Sequence, residues 1–141
     1  MVITLRLWHI DIIPFLPKGQ LLAQWRELNS IFKKEDQHIL INYIYDYDKE
    51  DLMLYTDEVL NEMRRRGYQI KAFEKMEAYF ANTTKPKIPY KPFPRHHNDE
   101  YLEICYFNLK EKFLRGQKDY DEGLFQKLNF FYKKNIECSD I

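Results

Sequence analysis

This chain is short of the residues on which several common chemistries rest. It has two cysteines in 141 residues, and Cys105 and Cys138 stand at neither metal-ligand nor disulfide-framework spacing. Each reads as a buried or incidental thiol of a reducing compartment, which predicts a cytoplasmic protein. Its four glycines are too few and too scattered for a loop that cradles phosphates. No apolar run approaches the roughly 18 to 20 residues of a membrane-spanning helix. The opening "MVITLRLWHIDIIPFLP" is apolar, yet it carries Arg6, His9 and Asp11 and offers no small-residue cleavage site, so a secretory signal is not expected. The four histidines, at 9, 38, 96 and 97, lack H-x-x-x-H spacing and have no cysteine close by in sequence, so no metal is expected. Serine and cysteine nucleophile motifs are absent as well.

Net charge is the last absence. The 22 basic residues balance 22 acidic ones, which argues against a generic polyanion binder. The charges are nevertheless uneven along the chain. Residues 35–62 hold nine acidic groups and one lysine, whereas residues 63–95 hold nine basic and two acidic groups. Either the two stretches neutralise each other or a neutral chain carries one basic face.

What is present is core. At 45% hydrophobic and 16% aromatic the chain can build one, and its length suits a single domain spanning residues 1–141. Leu21, Trp25, Leu28 and Phe32 recur at steps of three and four, which predicts a helix over residues 20–33. A second helix is predicted over residues 50–66 with Leu52, Tyr55, Val59, Leu60 and Met63 inward. Gly67 caps it, and Arg64, Arg65 and Arg66 read as partners of its negative end rather than as phosphate contacts. Residues 38–47, "HILINYIYDY", are β-branched and aromatic but have no partner strand, so they read as a buried helix or an extended connector. Four of the six prolines fall within residues 83–97, which predicts a stiff, basic crossover loop. Asn98 or Asp99 then caps a third helix with Leu102, Cys105, Leu109 and Phe113 inward, ending at Gly116. A fourth helix is predicted over about residues 121–134. Its end, "FFYKKNI", mixes aromatics with lysines as nucleic-acid binders do, and as ordinary amphipathic helices also do. The fold expected is all-α, one compact domain of about four helices with long irregular connections.

One pair sits oddly on the first helix. Arg26 and Glu27 lie off its apolar stripe, where a solvated helix edge is the plain explanation. Four ordered blocks supply another: "LRLWHIDIIPFLPKGQLLAQWRE" at residues 5–27, "QHILINYIY" at 37–45, "EMRRRGY" at 62–68 and "PRHHNDEYLEICYFNLKEK" at 94–112. Together they resemble the pyrimidine-dimer DNA glycosylase family of the bacteriophage endonuclease V type, and its bacterial members most closely.

That resemblance implies a DNA-repair glycosylase with abasic-site lyase activity, working on double-stranded damaged DNA as a monomer without cofactor or metal. The family's nucleophile is an N-terminal α-amine. Its pKa of about 7.7–8.0, against about 10.4 for lysine, leaves roughly a tenth of it unprotonated at neutral pH. By the same resemblance Glu27 is the catalytic carboxylate and Leu5 the residue that carries the amine. Arg6, Lys18, Gln20 and Arg26 are the DNA-binding residues, expected on one face; Gln20 stands where the phage enzyme has a DNA-contacting histidine. The family pattern begins at the position of Leu5, so residues 1–4 read as an extension and Leu5 as the expected translation start. The alternative is a non-catalytic helical module of the same fold that binds nucleic acid or a protein partner.

Overall fold

A computed structural model describes residues 6–35 and 40–137. Among them there is no strand, and every regular element is helical. An extended lead-in from Arg6 enters a short 3-10 helix, Ile10–Phe15. Helix α1 follows at Lys18–Lys33, and a 3-10 turn at Asn42–Asp46 leads into α2, Lys49–Arg65. A short α3 spans Glu74–Tyr79, the proline-rich crossover follows, and α4 runs Asp99–Leu114. Helix α5, Glu122–Tyr132, passes into a π-helical turn at Lys133–Glu137. No helix among the described residues is long and apolar enough to cross a membrane.

The four predicted helices are present within a residue or two of their expected bounds. Leu21, Trp25, Leu28 and Phe32 are buried on α1, and Leu52, Tyr55, Val59, Leu60 and Met63 on α2. Both predicted glycine caps form by the same chemistry. Gly67 and Gly116 adopt φ of 79° and 84°. The Gly67 N–H donates to the Arg64 carbonyl while the Tyr68 N–H reaches back to Met63; Gly116 and Gln117 repeat the pattern onto Phe113 and Lys112. These paired bonds satisfy carbonyls the helix ends would orphan. Asn98 caps α4 by accepting the Tyr101 N–H at 3.0 Å. Helix α1 begins differently. Pro17 gives it no side-chain cap, and Asp119 from the distant loop after α4 accepts the Gly19 N–H at 2.6 Å instead.

Residues 40–47 turn out to be a connector wound into one 3-10 turn, with Ile41 and Ile44 buried; His38 lies outside the described residues. Helix α3 was not legible in advance. It is six residues long and buries none of them, too short to display a period. Its neighbours hold it: Phe73 packs on Trp25, and Tyr79 and Phe80 pack on Phe32.

The acidic and basic stretches do meet. Lys85 pairs with Asp57 at 2.7 Å, Arg65 and Arg66 both pair with Glu62, and Lys91 pairs with Asp11. Arg66 also donates to the Pro14 carbonyl, which bears out the structural reading for two of the three arginines.

The two adjacent histidines close the crossover onto the lead-in. His97 is buried, its Nδ1 accepting the Ile10 N–H at 3.0 Å, and its Nε2 lies 2.7 Å from the Tyr43 hydroxyl. An accepting Nδ1 makes Nε2 the protonated nitrogen, so His97 is a neutral donor to Tyr43. His96 sits 2.8 Å from the Tyr47 hydroxyl. Among the described residues no cluster of three metal-ligating groups forms. Burial, then His9 and His96 beside it, lower the His97 pKa to about 3.

A depressed histidine pKa means the folded state binds fewer protons than the unfolded chain between about 3 and 6.5. Stability from this residue is therefore complete above 6.5 and drains away as the pH falls toward 3. Denaturant midpoints measured from pH 7 to pH 4 should fall steadily. His97→Gln should lower the pH 7 value by about 1–3 kcal/mol through its lost partners and flatten the slope. An unchanged slope would show that His97 titrates normally.

Candidate active site

Glu27 stands on the face of α1 that also carries Gly19, Gln20 and Ala23. Those four residues, with Arg6 and Trp8 from the lead-in and Asn108 and Lys112 from α4, line a cleft of about 310 Å³. The lead-in enters at one side, α1 forms the floor and α4 the far wall.

The carboxyl of Glu27 is held by a side-chain donor. The Gln24 Nε2 donates to its Oε2 at 3.0 Å, and the backbone of Arg6 lies close enough to favour the charged carboxylate. Burial nonetheless dominates and raises its pKa to about 7, against the Arg6 backbone, the Gln24 amide and the Arg26 charge, all of which lower it. A carboxyl tuned to neutrality can both give and take a proton at working pH. That suits a general acid–base far better than a helix-edge salt bridge.

Gln24 is the residue that sequence reasoning passed over. It is 1% exposed, and its amide is fully engaged. Its Oε1 accepts the Trp8 N–H at 2.9 Å and lies 2.8 Å from the Tyr55 hydroxyl. Its Nε2 donates to the Arg6 carbonyl at 3.0 Å as well as to Glu27. A glutamine one turn before Glu27, amid an apolar stripe, was the available signal: a buried polar side chain needs partners.

The other expected site residues separate into three groups. Arg6 lines the cleft with its guanidinium turned inward over Trp8 and Tyr101, at 5.7 and 5.9 Å, and its Nη1 is buried with no hydrogen-bond partner among the described residues. Gln20 also lines the cleft, held in a reciprocal amide pair with Gln117, whose Nε2 donates to its Oε1 at 2.7 Å. Arg26 is exposed beside the cleft. Lys18 is not brought there. Its Nζ lies 5.6 Å over the Tyr68 ring, in a larger depression of about 660 Å³ where Arg65 and Arg66 are already committed to Glu62. Leu5 lies outside the described residues. Asn108 and Lys112 were not foreseen as site residues, since the α4 stripe alone does not say which element its polar face meets.

The cleft thus brings together a desolvated carboxyl, Glu27, and the polar side chains of Arg6, Gln20, Asn108 and Lys112. The model of the family described as pyrimidine dimer DNA glycosylase matches residues 5–76. The chain belongs to that family. No curated protein and no solved structure matches it. The match spans the lead-in, α1 and α2, and therefore includes Glu27, Arg6, Gln20 and Arg26. The α4 wall of the cleft lies beyond it. Glycosylases of this family act on damaged DNA, and DNA repair is the family-level function of this chain.

Glu27 destabilises the fold as it ionises. With a folded pKa raised from 4.5 to about 7, the native state binds more protons than the unfolded chain between those values, so this residue's contribution falls as pH rises through that window. Glu27→Gln removes the titration. Relative to the parent, the variant should be more stable at pH 8 than at pH 5. Thermal melts at the two pH values check this, and a difference independent of pH would mean that the carboxyl titrates normally.

Proposed function

We propose that the protein is a pyrimidine-dimer DNA glycosylase with abasic-site lyase activity, acting on double-stranded DNA as a cytoplasmic monomer. Its nucleophile is the α-amine of a chain that begins at Leu5. The observation that carries this reading is the single Gln24 amide nitrogen that donates both to the Arg6 carbonyl and to the Glu27 carboxyl, at 3.0 Å each, which seats the Arg6 backbone beside the carboxyl. An amine on Leu5 is only three covalent bonds from the Arg6 nitrogen.

The chemistry follows from those groups. The unprotonated amine attacks C1′ of the damaged nucleotide, forming a C–N bond as the glycosidic bond breaks and the base departs with the electron pair. Protonated Glu27 hands its proton toward the opening sugar ring; ionised Glu27 then stabilises the positive imine and accepts protons from it. Removal of a C2′ proton expels the 3′ phosphate and cuts the strand. Arg6 in the cleft wall and Arg26 at the rim are the phosphate partners, with Gln20 beside them. Lys18 serves as a peripheral contact.

Borohydride trapping on abasic-site duplex tests the mechanism. A chain starting at residue 5 should trap covalently, with trapping that rises through about pH 7 to 8 as the amine deprotonates. Glu27→Gln should lose strand cleavage by about 10²-fold or more while still binding DNA. Reductive methylation confined to the N-terminal amine should abolish trapping. If the methylated chain cleaves at the parent rate, the nucleophile is elsewhere. If neither chain traps while both bind duplex, the protein is a binding module on this fold.

Binding has its own signature. Each phosphate partner removed should reduce the slope of log affinity against log salt by about 0.9. Arg26→Ala should do so in a titration on lesion-containing duplex, without loss of thermal stability because Arg26 is exposed. An affinity indifferent to salt would remove phosphate contact from the mechanism.

A further inference from the structure

We propose that Gln24 is a positioning residue of this site, whose one amide fixes both the Glu27 carboxyl and the backbone of Arg6 beside it. The inference rests on the reading of Glu27 as the acid–base group, and it adds a residue that does not touch substrate. A glutamine amide offers two acceptor sites and two N–H donors. Here the oxygen accepts the Trp8 N–H, the nitrogen donates to the Arg6 carbonyl and to Glu27, and the Tyr55 hydroxyl, whose one proton is shared with the Trp8 carbonyl, stands at the fourth site. The Trp8 N–H fixes which end is oxygen. The nitrogen must then point at Glu27.

Two consequences follow from that enforced orientation. The donor from Gln24 occupies Glu27 Oε2 in either protonation state, which leaves the carboxyl proton to the lone pairs that Gln24 does not use. Because one nitrogen serves both the Arg6 carbonyl and Glu27, the lead-in cannot shift along α1 without releasing the carboxyl. Tyr55 makes the bracket rigid from the α2 side. It is fully buried, and its hydroxyl is 2.6 Å from the Trp8 carbonyl and 2.8 Å from the Gln24 oxygen. The charged and titratable groups that bear on Glu27 are Arg6 of the lead-in, Arg26 of its own helix, Tyr55 of α2 and Lys112 across the cleft. None of these is a hydrogen-bonding side chain on the carboxyl. Among the described residues Gln24 alone fills that place.

Gln24→Met keeps the side-chain length and removes all four polar interactions; Gln24→Glu keeps the shape but replaces the donor with a second carboxyl. The readout is the titration of the Glu27 carboxyl carbon by NMR on the whole chain, which needs no DNA. The midpoint should move upward by about one pH unit in Gln24→Met, because a donor to a carboxylate favours its charged form. It should move further in Gln24→Glu, where two carboxyls share the space. Tyr55→Phe, which leaves Gln24 in place, should produce a smaller rise in the same direction and keeps the test open if Gln24→Met fails to fold. An unchanged Glu27 midpoint in folded Gln24→Met or Tyr55→Phe would overturn the positioning role. The trapping assay remains separate: if parent Glu27 titrates as expected but no covalent adduct forms, the lyase reading fails while the role of Gln24 stands.

Discussion

A buried stretch of non-helical backbone is the constraint around which this domain is organised. Residues 7–9 run extended through the interior into the first turn of the 3-10 helix, with no helix or sheet to take up their peptide groups. Each such group left unpaired would cost about 1–3 kcal/mol. Side chains from four directions meet the need: Gln24 from α1, Tyr55 from α2, Tyr101 from α4 onto the Leu7 carbonyl, and His97 from the crossover. Further along, Arg66 and Tyr120 serve the carbonyls of Pro14 and Phe15. The lead-in is thus the hub, and the helices are fastened to one another largely through it.

That arrangement sets the chemistry. The bond that satisfies Arg6 also fixes Gln24, and Gln24 fixes Glu27, so the carboxyl is oriented by the same network that seats the lead-in. Burial raises the pKa of Glu27 and three nearby donors or charges restrain the rise, leaving it near neutrality. A fully exposed carboxylate would be too weak a base, and a fully buried one would never ionise at working pH. His97, bonded to Tyr43, holds the lead-in at Ile10 as a neutral hydrogen-bonding group.

Charge distribution follows the same economy. A chain of zero net charge has little long-range attraction for a polyanion. Much of its basic stretch is spent on Asp11, Asp57 and Glu62. At the cleft itself the cations are Arg6 in the lead-in, the exposed Arg26 and the lysine on the α4 wall.

The periodicity of Leu21, Trp25, Leu28 and Phe32, the Asn98 cap and the two capping glycines determined the long helices and their ends by themselves. All of these are local relations, set by turns of one helix and by the φ that glycine tolerates. The four ordered blocks from residue 5 to residue 112 pointed to the family and made Glu27 the residue to watch. Only the tertiary structure decided that Glu27 is desolvated, that Gln24 orients it, that Asn108 and Lys112 form the opposite wall, and that Lys18 faces another depression. Each of those depends on which elements pack together: Gln24 meets Trp8 across 16 positions and Ile10 meets His97 across 87. A sequence displays the period of one helix, but burial, and with it the pKa of a carboxyl, belongs to the packing of several.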